Sequence, residues 1–176
     1  MKTKTLRLAA MLATIGLFGH RTVVAQSLND PLLDRLIGTW VLRGDIAHRP
    51  VTHSVKVQWA LAHQYIQIRE TSRSKTADGS PEYDAIVYIG WNPDLRQYVC
   101  LWLDSTGGNG LVGWALGRAE ADPTKLAFLF TVTKDGDPSV HNTFGFDRTT
   151  HTWRWTIDNV DKGQLKPFAN VKLTRQ

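Results

Sequence analysis

From Trp40 onward, apolar and polar residues alternate in short segments, each closed by a cluster of turn-forming residues. Val55, Val57 and Trp59 alternate with Ser54, Lys56 and Gln58, and Ile66 and Ile68 alternate with Tyr65, Gln67 and Arg69. A period of two marks an extended strand with one wetted face, because successive side chains point to opposite sides. The pattern predicts ten strands, over 40–45, 53–60, 64–71, 83–91, 97–104, 109–117, 126–133, 140–146, 152–159 and 168–174. Turn signals separate them at Ala77-Asp78-Gly79-Ser80-Pro81, Asn92-Pro93-Asp94, Asp122-Pro123, Lys134 to Pro138, Asp147 to Thr150 and Asp161-Lys162-Gly163. One helical turn is expected ahead of the strands. Asn29 or Asp30 can cap it, Pro31 suits its first position, and Leu32, Leu33 and Leu36 give it an apolar face.

Many short strands at regular spacing, with no helix of ordinary length among them, predict an all-β domain. The expected architecture is a single antiparallel up-and-down barrel of about 8–10 strands with a short N-terminal helical turn, a sandwich being the competing arrangement. Parity places Trp40, Leu42, Val55, Val57, Trp59, Ile66 and Ile68 in one core. Ala85 to Trp91, Val99 to Leu103 and Leu126 to Val132 are apolar on both faces. Such strands either line a cavity with one face or are covered outside by a second copy of this chain, so a homodimer is among the expected partners.

The first 25 residues read differently. Lys2, Lys4 and Arg7 precede an apolar run of about eleven residues, Leu8 to Phe18, and Val23 and Ala25 supply small residues for cleavage. That run is far short of the roughly 20 residues that span a bilayer, so residues 1–25 are expected to be a removable signal peptide and 26–176 the barrel domain. The protein is then exported, periplasmic or secreted, with no stable membrane insertion. Removing the segment changes the charge picture. The whole chain has 21 Lys and Arg against 16 Asp and Glu, net +5; Lys2, Lys4, Arg7 and Arg21 leave with the signal, so 17 against 16 gives +1. No basic patch remains for nucleic acid. Cys100, the single cysteine, sits within Tyr98-Val99-Cys100-Leu101-Trp102 and reads as a buried apolar filler.

All seven Trp residues follow the signal. Wide aromatic side chains either fill a barrel or wall a pocket for a flat apolar ligand. The ligand-binding candidates are Trp59, Tyr88, Tyr98, Trp102, Asp104, Trp114 and Arg154. Asp104 shares a face with Tyr98, Cys100 and Trp102, whereas Arg154 opposes Trp153 and Trp155. A charge pointing inward must be paired, so an Asp–Arg pair in the lumen would orient a polar ligand group. No Gly-x-Ser-x-Gly elbow, His-Glu-x-x-His helix or phosphate-cradling glycine loop is present, so no catalytic residue and no metal ligand set is assigned.

The Gly38-Thr39-Trp40 start after a helical turn, followed by a meander, resembles the calycin superfamily of lipocalins, fatty-acid-binding proteins and nitrobindins. Leu36 to Trp40, Tyr88-Ile89-Gly90-Trp91-Asn92 with Tyr98, Trp102-Leu103-Asp104-Ser105 and Leu173-Thr174-Arg175 are similar to an exported bacterial family of unknown function with a lipocalin-like barrel. The resemblance implies that Trp40 packs across the closed end of the barrel under Arg175, both structural. It also raises haem, with His141 or His151 as the proximal ligand, but Leu42-Arg43-Gly44 departs from the nitrobindin pattern, and no cofactor is expected. The function expected is non-catalytic binding of a small apolar or aromatic molecule. Two alternatives stand beside it: an acid–base isomerase or cyclase using Asp104, Tyr88, Tyr98 and Glu70, and a filled barrel acting through its outer face.

Overall fold

In the computed structural model, the described residues are 28–107, 116–119, 125–131 and 138–176. Expectations that fall on the signal segment, Trp114, Asp122-Pro123, the Lys134 turn or most of 109–117 lie outside them. The helix α1 (Pro31–Leu36) is followed by β1 (Gly38–Ile46), β2 (Arg49–Ala60), β3 (Tyr65–Ser72), β4 (Asp84–Asn92) and β5 (Gln97–Asp104). The circuit continues through β6 (Leu116–Ala119), β7 (Lys125–Thr131), β8 (Pro138–Asp147), β9 (Thr152–Asp161) and β10 (Gln164–Arg175). Every strand pairs antiparallel with its neighbour in sequence, and β10 returns to β1, closing an up-and-down barrel. The closing register runs from Trp40 opposite Arg175 to Ile46 opposite Ala169.

Closure explains the alternation. Leu42, Val55, Val57, Ile68, Val87, Cys100, Phe128, Phe144, Trp155 and Val171 all point inward and are buried in one cluster. Several strands run further than the alternation predicts. Ala47 and His48 both adopt left-handed φ angles, 49° and 61°, so β1 and β2 meet in a two-residue turn that no glycine announces. Lys162 and Gly163, at 49° and 76°, do the same between β9 and β10. Between Pro167 and Ala169 the register shifts, and Phe168 is the extra residue of a bulge.

The lower end of the barrel is closed by α1. Asp30 caps the helix through Oδ1, which accepts from the Leu32 amide at 2.8 Å, and Leu33 and Leu36 are buried. Five barrel side chains hold the helix in place, Trp153 Nε1 and Arg175 both donating to the Arg35 carbonyl. Trp40 Nε1 donates to the Leu36 carbonyl at 2.8 Å, Trp59 Nε1 to Asp34 Oδ1 at 3.3 Å, and the Tyr98 hydroxyl to Asp30 Oδ2 at 2.7 Å. Arg175 Cζ lies 4.5 Å from the centroid of the Trp40 ring, an arrangement worth about 0.5–2 kcal/mol depending on desolvation. Gly38 has φ +141°, and a Cβ there would strike that guanidinium, so the Gly-x-Trp pattern is the footprint of this closure.

Candidate functional site

The upper half of the barrel encloses a cavity of about 1010 Å³. Its floor follows from strand parity. On β1, β5, β9 and β10 the deepest lining residues are Leu42, Trp102, Trp155 and Val171. Below them the core is packed solid by side chains such as Trp40, Trp153 and Leu173. Trp102 stands with its ring centroid 5.5 Å from Trp155 and 6.4 Å from Phe130, so three aromatic side chains form a continuous apolar surface. Ile157, Ala169 and Phe168 continue the wall toward the mouth. The bulge on β10 lets Phe168 and Ala169 both line the cavity, which strict alternation would forbid.

One wall is polar. His53 Nδ1 and Glu70 Oε1 are 2.5 Å apart on β2 and β3, and the residues are only 4% and 2% exposed. Beside them Ala85 pairs with both Glu70 and Asp104, so the two carboxylates occupy one row with a small residue between them. Tyr83, just ahead of β4, reaches over that gap. Its ring stacks on His53 at 5.7 Å, and its hydroxyl interacts with Asp104 and Trp102. Burial pushes the Tyr83 phenol well above its ordinary pKa, and the nearby charges of Glu70 and Asp104 push the same way. Asp104 also accepts from Trp102 Nε1 at 3.1 Å and, through Oδ1, from the Thr106 amide at 2.8 Å. It therefore both starts the turn after β5 and faces the cavity.

Across the lumen lies Asn142, 1% exposed and the deepest lining residue of β8. Trp155 Nε1 donates to its Oδ1 at 2.6 Å. An indole N–H can only donate, so the amide oxygen must face it and the amide nitrogen must face away. That nitrogen, Nδ2, is the one buried side-chain polar atom among the described residues without a hydrogen-bond partner. Leaving such a donor unsatisfied costs about 1–3 kcal/mol, so folds seldom keep one without relief.

The residues singled out from sequence are dispersed by the fold. Trp102 and Asp104 line the cavity. Tyr98 and Trp59 belong to the closed end, where they hold α1. Tyr88 lies on the outer wall, accepting from Gln67 Nε2 at 2.6 Å, because its inward neighbours are Val87 and Ile89. Arg154 is exposed and donates to Asn170 Oδ1 at 3.1 Å across β9 and β10. The Asp104–Arg154 pair considered from sequence therefore does not form, since the buried Trp153 and Trp155 on either side turn Arg154 outward; the buried ionisable pair of the lumen is His53 with Glu70. Of the histidines weighed for haem, His151 occupies an exposed turn, and His141 alternates with Val140 and Asn142, which face the lumen. Among the described residues no group of three or more His, Cys, Asp or Glu is placed to hold a metal ion.

His53, Tyr83 and Asn142 were not singled out from sequence for the lumen, although each shares parity with an apolar core series on its own strand. The chain matches no protein-family model and no curated protein, and the functional argument therefore rests on the barrel and the chemistry of its lumen.

Proposed function

We propose that this protein is an exported, lipocalin-like barrel that binds a small, mainly apolar or aromatic molecule in its lumen without transforming it. The observation that carries the reading is a roughly 1010 Å³ cavity floored by Trp102, Trp155 and Phe130 inside a closed barrel. Ligand cavities commonly span about 300–1,000 Å³ and combine apolar walls with a few placed polar groups. An up-and-down barrel with a plugged lower end and Arg175 over Trp40 is compatible with a calycin-like fold. Export rests on the basic start and apolar run ahead of Ala25, and a mature N-terminus at Gln26 would support it. Native mass spectrometry of protein purified from its source should show a co-purified mass lost on denaturation. A spectrum containing only the bare chain, unchanged by neutral aromatic probes, would overturn the reading.

His53 and Glu70 favour one second reading, acid–base chemistry on a bound carbonyl compound. A carboxylate that fixes an imidazole in a lumen is the arrangement by which a base is oriented. In that case His53 removes a proton beside the carbonyl and returns one to the resulting enolate. In heavy water the protein would catalyse exchange of those hydrogens, and Glu70→Gln would slow it. Exchange at the uncatalysed rate leaves the binding reading alone.

A further inference from the structure

We infer that the lumen selects a neutral ligand whose leading end carries an oxygen acceptor, a carbonyl above all, received by Asn142 Nδ2. The inference rests on the binding reading above and deepens it.

Three observations converge. First, the unpartnered donor has a fixed identity: Trp155 Nε1 occupies the Asn142 oxygen, so the group left over on this cavity-lining residue is a buried N–H and its complement must be an acceptor. Second, the donor lies at the floor, beside the indole of Trp155 and one ring contact away from Trp102. A ligand satisfying it must insert its oxygen first, with its apolar body above, between the aromatic floor and the walls of Ile157 and Ala169. Third, the charges facing the lumen disfavour an anion. Glu70 and Asp104 share one row on the polar wall and Glu82 also lines the cavity, while Arg49, the one Lys or Arg among its described lining residues, is exposed at the mouth. A carboxylate head would sit buried near these acids, away from the one Lys or Arg among the described lining residues. An ammonium head would set its N–H groups against the amide N–H of Asn142. A neutral carbonyl oxygen meets neither objection.

Three naphthalene probes of nearly one shape separate the possibilities. Acetylnaphthalene carries the carbonyl, isopropylnaphthalene replaces it with hydrocarbon, and naphthoate replaces it with a carboxylate. By calorimetric titration the ketone should bind roughly tenfold more tightly than the hydrocarbon, and naphthoate should bind most weakly. Asn142→Leu should erase the ketone's advantage while leaving the hydrocarbon bound. Because that variant also strips Trp155 Nε1 of its acceptor, its folding is to be checked by near-ultraviolet circular dichroism. A measurement on the unmodified protein stands beside it: the carbonyl carbon resonance of isotopically labelled acetylnaphthalene should move downfield on binding relative to its position in cyclohexane. Equal binding of ketone and hydrocarbon, an unshifted resonance, or tighter binding of naphthoate overturns the inference but leaves a ligand-binding lumen. Failure of all three probes to bind removes the binding reading and this inference together.

Discussion

At the scale of single residues, the lumen is defined by groups that would be costly to leave alone. Glu70 and His53 satisfy each other under nearly complete burial. Removing one partner of such a pair strands the other, an effect of about 3–5 kcal/mol. Glu70→Ala should therefore lower unfolding free energy by that order in urea, while Glu70→Gln, which keeps a hydrogen bond to His53, should lose clearly less. Equal losses in both variants would show that the pair does not hold the wall together. Tyr83 and Tyr98 make a second prediction. Burial raises both phenols, with the charge of Glu70 adding for Tyr83 and the bond to Asp30 adding for Tyr98. The folded state then keeps these protons to higher pH than the unfolded chain, whose phenols ionise near pH 10. Stability from this source is complete below about pH 10 and is lost as pH climbs above it. Phenolate absorbance from Tyr83 and Tyr98, isolated by Tyr→Phe subtraction, should thus appear together with loss of far-ultraviolet circular dichroism. Ionisation of either before the barrel unfolds would contradict the burial argument. These residues also show what the sequence made legible. His53 continues the series Val55, Val57, Trp59, and Glu70 continues Ile66, Ile68. Tyr83 precedes Ala85, Val87, Ile89, and Asn142 stands between Val140 and Phe144. Parity alone points all four inward, whereas choosing by side-chain type led to Tyr88 and Arg154, whose parity is outward.

At the scale of elements, local chemistry fixes each piece and pairing sets its limits. The alternation located β1, β2 and β3, apolar runs between turn signals located most of the other described strands, β6 overlapped its expected span only at Leu116 and Gly117, and the Asp30–Pro31 cap located α1. The Asp161-Lys162-Gly163 signal located the turn between β9 and β10, but nothing in the pattern supplied the two-residue turn at Ala47-His48 or the bulge at Phe168, which depend on backbone twist between paired strands. Nor could it show that Trp59 and Tyr98 serve α1 rather than the lumen, since Tyr98 and Trp102 share a face and differ only in height. Gly44 illustrates an element-level constraint. Its φ is +149°, and a Cβ there would run into the carbonyl oxygen of Asn170 and the backbone of Val171, both on β10. Gly163, at φ +76°, has open space where its Cβ would be. Gly163→Ala therefore meets backbone strain alone, about 1 kcal/mol, whereas Gly44→Ala adds a collision that pushes β1 from β10. Gly44→Ala should lower the melting temperature by several degrees more than Gly163→Ala, and indistinguishable losses would mean that the β1–β10 seam tolerates separation there.

At the scale of the whole molecule, the barrel divides into a filled lower half and an open upper half, and the same residue types do different work in each. Trp40 and Trp153 are packing beneath the floor; Trp102 and Trp155 are the floor. Sequence announced the container through its alternation and aromatic content, but the height at which packing stops depends on the tilt and stagger of all ten strands, which no single segment encodes. The open half can be tested by filling it. Ala169 is buried on β10 and lines the cavity wall, so Ala169→Trp would project an indole into the lumen. Inserting bulk into a close-packed core forces strain of about 1–3 kcal/mol. A cavity of about 1010 Å³ has room for that side chain, and the indole gains apolar contacts with Ile157 and Phe168, so stability should change by less than about 1 kcal/mol. The space it takes is lost to ligand, and affinity for a neutral aromatic probe should fall at least tenfold. Arg154→Ala, on the outer wall, should leave both quantities unchanged. A strongly destabilised Ala169→Trp would mean that the upper half is packed in solution; a stable variant with undiminished binding would place the ligand outside the lumen.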